Sequence, residues 1–138
     1  MIILDTNVLS ELMKSQPDKS VMRWVGKQKA ASLFITTLTQ AEILYGLETL
    51  PIGKRRKALT AAAKSMFDRD FSDRILSFNT DAAKLFAIVS AKRKKVGLPI
   101  SQIDAQIAAV TLSYNATLAT RNTKDFTECG IDLINPWD

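Results

Sequence analysis

"IILDTN", residues 2–7, decides how the rest of the chain is read. Three consecutive large apolar residues with no polar alternation suit a short strand buried on both faces, the habit of parallel sheets covered by helices. Asp5 follows at once, so it lies at the carboxyl edge of that strand. In open α/β sheets this edge is where ligands bind. Two things must then be established: whether the remaining chain builds such a sheet, and what else arrives at the same edge.

Working outward, a first helix is expected over Val8 to Lys14, stopped by "SQPD" (15–18), and Asp18 can cap a second carrying Val21, Met22, Trp24 and Val25. "SLFIT" (32–36) reads as a second strand. In "TQAEILYGLETL" (39–50), Thr39 is the expected cap and Ile43, Leu44, Leu47 and Leu50 form a helical stripe that Pro51 ends. Residues 53–71 form a long alanine-containing helical segment, and "RILSF" (74–78) a third strand. A helix over 79–97 has Gly97 as its stop. Another over 101–115 places Ile103, Ile107 and Val110 on one face. "ATLAT" (116–120) and "IDLIN" (131–135) are the last strands. There is no repeat, low-complexity tract or linker. The expectation is a single α/β domain, residues 1–138, with a mainly parallel central sheet of about five strands flanked by helices.

Composition excludes several chemistries. The 138 residues include no histidine, which removes Ser-His-Asp and Cys-His nucleophile systems, histidine general bases and most zinc sites. One cysteine, Cys129, forbids an internal disulfide and fits a reducing cytoplasm; it reads as an incidental, partly buried thiol. No apolar run approaches the roughly 20 residues of a membrane helix, and Asp5 interrupts any signal-peptide core. A net charge of +5 allows a polyanionic partner without requiring one. Hydrolytic chemistry here must use carboxylates, lysine or a metal bound through oxygen.

Glu42 is the fourth residue of "TQAE" and Asp104 the fourth of "SQID", with Ser101 as cap. Both helices begin at the edge where Asp5 stands, so three acids distant in sequence are expected on one rim. Thr-x-x-Glu and Ser-x-x-Asp are also capping boxes, the commoner reading of either acid alone, and an Asp after a strand is often a turn or cap residue. The two readings coexist, because a helix N-terminus keeps a carboxylate ionised. Clustered carboxylates without histidine or cysteine suit Mg²⁺, with Mn²⁺ as substitute. A cation would relieve their mutual repulsion, and Asp5 would stand exposed at the strand mouth to hold it.

"ILDTNVLSEL" (3–12), "TLTQAEILYGL" (37–47), "IDAQIAA" (103–109) and "LATRNTKDF" (118–126), with the closing "NPW" (135–137), together resemble the PIN-domain ribonucleases. The likeness is strongest to VapC and FitB-like toxins of type II toxin–antitoxin pairs, plasmid-stability proteins among them. It spans essentially the whole chain. The resemblance implies a Mg²⁺-dependent endoribonuclease, held silent by a small VapB-like antitoxin, homodimeric and cytoplasmic. Metal-activated water would attack in line and leave a 5′-phosphate and a 3′-hydroxyl. It assigns Asp5, Glu42 and Asp104 to the metal, Glu42 directly or through water, and Thr6, Asn7 and Thr120 to supporting roles. The family's fourth position, often Asp, is Asn122 here, with Asp125 close by as the other candidate.

Arg121 and Lys124 flank the expected site and are the candidates for RNA phosphate. "KRRK" (54–57) and "KRKK" (92–95) read as solvated helix faces rather than an RNA track. Trp24, Phe34, Phe86 and Trp137 read as core or interface. Leu9, Leu12 and Met13, with part of 43–67, form either core or a groove for the antitoxin's helix. Two other functions compete. An aspartyl-phosphate phosphotransferase would want a second acid where Asn7 stands and a lysine at a later strand end. A catalytically weak or inactive RNA-binding module is made plausible by Asn122 alone.

Overall fold

The structure is a computed structural model describing all of residues 1–138. Five strands, β1 (Ile2–Leu4), β2 (Leu33–Thr36), β3 (Ile75–Leu76), β4 (Thr117–Ala119) and β5 (Asp132–Ile134), form one sheet in the order β3-β2-β1-β4-β5. Every neighbouring pair is parallel. Six helices connect them: α1 (Thr6–Leu12), α2 (Lys19–Gly26), α3 (Thr37–Glu48), α4 (Lys54–Ser65), α5 (Thr80–Lys95) and α6 (Gln102–Ser113). The strand order reverses direction beside β1, so the crevice between the ends of β1 and β4 is the sheet's topological switch point.

Period-2 alternation in the strands builds two cores. Leu4, Leu33, Ile35 and Ala119 point to one face and pack with Val8, Leu9, Val21, Ile43, Leu47 and Ala63 of α1 to α4. Ile3 and Leu118 point to the other and meet Ala82, Val89, Ile107, Val110 and Phe126. The helices α5 and α6 lie against each other on this second face. Because β1 feeds both layers, Ile3 and Leu4 are both fully buried, as their unbroken apolar run requires. No helix is long and apolar enough to cross a membrane.

Boundaries differ from expectation where side chains compete with the backbone. The first helix starts at Thr6 rather than Val8, because the Asp5 carboxylate caps it. The third strand shrinks to Ile75–Leu76: the Arg74 side chain bridges to the carbonyls of Ala30, Leu33 and Asp70, and Phe78 turns away to meet Phe86 edge-to-face at 6.0 Å. The helical segment from 54 ends its α-turns at Ser65 and continues as a π-helical turn over Met66–Asp70. At the end of α5, Gly97 takes φ +74°, with Leu98 N–H donating to Arg93 C=O and Gly97 N–H to Lys94 C=O, a Schellman closure.

The expected cap of α3 is also corrected. Thr36, not Thr39, holds the N-cap, its fully buried hydroxyl oxygen accepting the Thr39 N–H at 3.1 Å. Glu42 therefore lies beyond the first turn and is no part of a capping box. Thr36→Val keeps the shape and removes the cap, so it should cost about 1–2 kcal/mol in urea denaturation. An unchanged stability would return the cap to Thr39.

Candidate active site

Asp5 sits on the turn from β1 into α1, where its own N–H still pairs with Ala119 C=O at 2.9 Å. Its Oδ1 accepts the Thr6 N–H at 2.8 Å. Its Oδ2 accepts the Thr120 hydroxyl at 2.8 Å and the Asn7 amide at 3.4 Å. Asn7 also donates to Thr120 Oγ1 at 3.2 Å and accepts the Arg121 N–H at 3.3 Å, so its amide ties the end of β1 to the end of β4. Asp5 is only 5% exposed, which corrects the expectation of an exposed acid at the strand mouth. Burial pushes its carboxyl up to about 6; the Thr120 and Thr6 hydrogen bonds oppose this, and the charges of Asp104 and Glu42 add to it.

Glu42 comes from the second turn of α3, and its Oε1 accepts the Thr6 hydroxyl at 2.6 Å. The Thr6 hydroxyl also meets Thr39 Oγ1 at 3.0 Å, making Thr39 part of the scaffold beneath the glutamate. Asp104 lies in the first turn of α6, its N–H capped by Ser101 Oγ at 3.2 Å, as the sequence suggests. Burial raises its carboxyl; a hydrogen bond with Ser101 opposes the rise, while the charges of Asp125 and Glu42 reinforce it. The fold thus brings Asp5, Glu42 and Asp104 within each other's field at the switch point.

The fourth position divides between two residues on the turn after β4. Asn122 is exposed; its N–H donates to Thr120 Oγ1 at 3.1 Å, and its side-chain amide makes no hydrogen bond. Asp125, half-buried in the 3₁₀ turn Thr123–Phe126, is the carboxylate whose charge acts most on Asp104. Lys124 is exposed beside it. The Arg121 guanidinium lies over the Trp137 ring at 5.0 Å from its centre, and Asn135 donates to Arg121 C=O at 3.5 Å. The closing "NPW" is therefore packed against the site rather than trailing from it.

No three acids or thiols converge closely enough to hold an ion as they stand. The donor set is nevertheless all oxygen, its charges destabilise one another, and Asp5 and Asp104 are both held above their ordinary range. Such a set suits Mg²⁺, which keeps several of its waters and asks the protein for only a few carboxylates. Asp5, Asp104 and Glu42 are the residues that would hold it.

Beside the acids runs a groove of about 840 Å³ between α1, α3 and α4. Thr6 and Glu42 line one part of it, and Met13, Ile43, Leu47, Leu50 and Leu59 supply its apolar wall. Leu9 is fully buried core and does not face the groove, and Leu12 packs on the same core. Trp24, Phe34 and Phe86 also pack on the cores. Sequence reasoning missed Arg93, placed on a solvated face but 5% exposed. The signal was present: with buried Ala82 and Val89 it continues an i, i+7, i+11 stripe on α5.

The PIN domain family model matches residues 2–130. The chain is 38% identical over 138 residues to the VapC ribonuclease Y4jK of Sinorhizobium fredii, covering 100% of this chain and 99% of the relative. It is equally 38% identical over 138 residues to the plasmid stability protein StbB of Pseudomonas syringae pv. tomato, with the same coverage. The solved structure of FitAB bound to an IR36 DNA fragment matches with a TM-score of 0.94 and 32% identity, covering 100% of this chain and 96% of that one.

Two outcomes follow from the geometry. A carboxyl raised from 3.8 to about 6 by folding favours the protonated fold, so metal-free stability is highest below the unfolded value and is lost as pH rises through the folded one. In EDTA, the unmodified protein should lose up to about 3 kcal/mol between about pH 4 and pH 7, and Asp5→Asn should lack that decline. Equal pH slopes would contradict the buried-carboxylate reading. Separately, Mn²⁺ titration by calorimetry without RNA should weaken about tenfold in Asp125→Asn and change little in Asn122→Asp. The reverse order would place the fourth ligand at 122.

Proposed function

The chain belongs to the PIN-domain family, alongside the VapC and FitB toxins, and from that premise we propose that it is the ribonuclease toxin of a type II toxin–antitoxin pair. It hydrolyses RNA phosphodiester bonds with a divalent cation, Mg²⁺ or Mn²⁺, held by Asp5, Asp104 and Glu42. The observation that carries this reading is that these three carboxylates, from three separate crossovers, come within one another's electrostatic field at the sheet's switch point.

The protein's own groups divide the work. Thr120, Asn7 and the Thr6 N–H fix both oxygens of Asp5, so the carboxylate presents one orientation to the crevice. The Thr6 hydroxyl holds Glu42 from the other side, placing it to ligate directly or to orient an attacking water. When bound, the cation supplies a Lewis acid that polarises a phosphate oxygen and acidifies a water. Arg121, steadied by Trp137, and Lys124 offer positive charge at the rim where the RNA backbone would pass. In-line attack would leave a 5′-phosphate and a 3′-hydroxyl.

Control is assigned to a small VapB-like antitoxin. An amphipathic helix laid along Met13, Ile43, Leu47 and Leu59 would bury that wall and cover Glu42 at the same time. The toxin would work in the cytoplasm, where its RNA is, as a homodimer.

Asp5→Asn and Asp104→Asn should each lower Mg²⁺-dependent RNA cleavage by about 100-fold or more with the fold retained, and EDTA should abolish cleavage by the unmodified protein. Expression of the chain alone should arrest growth, and co-expression of the small antitoxin should relieve the arrest. RNA binding without cleavage would favour the inactive-module reading, which the missing acid at 122 suggests. Undiminished cleavage in EDTA would overturn the metal mechanism.

A further inference from the structure

Arg93 is a buried charge outside the acid site. Its side chain leaves the last turn of α5 and is 5% exposed, and none of the chain's ion pairs includes it. Its partners are backbone carbonyls. Nε donates to Leu98 C=O, and Nη1 donates to Asp125 C=O at 2.7 Å and to Thr127 C=O at 2.8 Å. Cys129 Sγ lies 3.8 Å from the same nitrogen.

Burying an unpaired guanidinium is costly, and a well-packed apolar residue is generally at least as stabilising. What an apolar residue cannot do is hold two loops at once. Leu98 belongs to the short link that leads into α6 and Asp104; Asp125 and Thr127 belong to the turn after β4. The Leu98 side of the fork is doubly fixed, since Leu98 N–H donates to Arg93 C=O at 2.8 Å. The guanidinium plane therefore sets where the 123–127 turn stands relative to the start of α6. Its charge also reaches Asp104, which ties the fork to the site electrically.

We propose that Arg93 is a positioning residue for the acid site, locking the turn that bears Asp125 against the link that leads to Asp104 and so fixing the spacing of those two carboxylates. The inference rests on the nuclease reading above, and acts through Asp125 rather than on substrate.

The test compares Arg93→Met, which removes every donor, with Arg93→Lys, which keeps the charge and loses the fork. Mn²⁺ affinity is read by calorimetry without RNA, and amide hydrogen exchange is followed along the chain. Both variants should bind Mn²⁺ about tenfold more weakly, the range typical of lost outer-shell support. Exchange should quicken at 123–128 while β1 and β4 stay protected. In an Asp125→Asn background, Arg93→Lys should cost little further affinity, because the residue it positions is already gone. A lowered melting temperature with unchanged Mn²⁺ affinity and unchanged local exchange would reduce Arg93 to a structural role and overturn the proposal, as would full additivity with Asp125→Asn. If Arg93→Met does not fold, Arg93→Lys carries the same three readouts. An unmodified chain that binds no Mn²⁺ overturns the cation reading itself, and the proposal with it.

Discussion

The Thr120 hydroxyl donating to Asp5 Oδ2 at 2.8 Å spans the one place where the strand order reverses, between β1 and β4, and the local design depends on it. On either side of that bond, β1 and β4 diverge into different crossovers, leaving a crevice with no backbone partner to fill it. A carboxylate placed there loses water on burial and must be given hydrogen bonds in return. The chain provides them from three neighbours: Thr6 N–H, Thr120 and Asn7. The same groups cap α1 and fasten the Arg121 segment, so the site and the fold share their parts.

That sharing explains which features could be read from the sequence. The run Ile2–Leu4 and the acid after it follow from strand burial alone, and the alternation of strands with helix pairs is enough for a parallel sheet. Asp104 behind Ser101 was legible because a serine cap three residues upstream leaves little choice of helix start. Thr36 was not, because "TTLT" (36–39) offers three threonines, and only the end of β2 decides which becomes the cap. The strand order was equally hidden: whether β4 lies beside β1 depends on packing between segments more than a hundred residues apart.

Arg93 and Asp5 escaped in a related way. Sequence patterns score a cation in "KRKK" as solvated and an acid after a strand as exposed, since isolated charges rarely survive burial. Both survive here because backbone and hydroxyl groups, which periodicity does not register, are arranged around them. Tertiary contacts alone reveal the burial of Asp5, whereas Arg93 leaves one trace in the sequence, its place on the Ala82–Val89 stripe of α5.

Asp5 and Arg93 have opposite sign, and they act on the acid crevice in opposite directions. Gathering Asp5 with Asp104 and Glu42 raises the cost of the crevice, since the charges of Asp104 and Glu42 both disfavour ionisation of Asp5. The field of Arg93 lowers that cost at Asp104 without neutralising it, because the guanidinium spends its hydrogen bonds on carbonyls and none on a carboxylate. A direct Arg–Asp ion pair there would occupy oxygens that the proposed cation needs. Keeping the guanidinium one layer back leaves Asp5, Glu42 and Asp104 without an ion pair and the crevice net negative. Such an arrangement suits the cation proposed for this crevice, at a cost in stability.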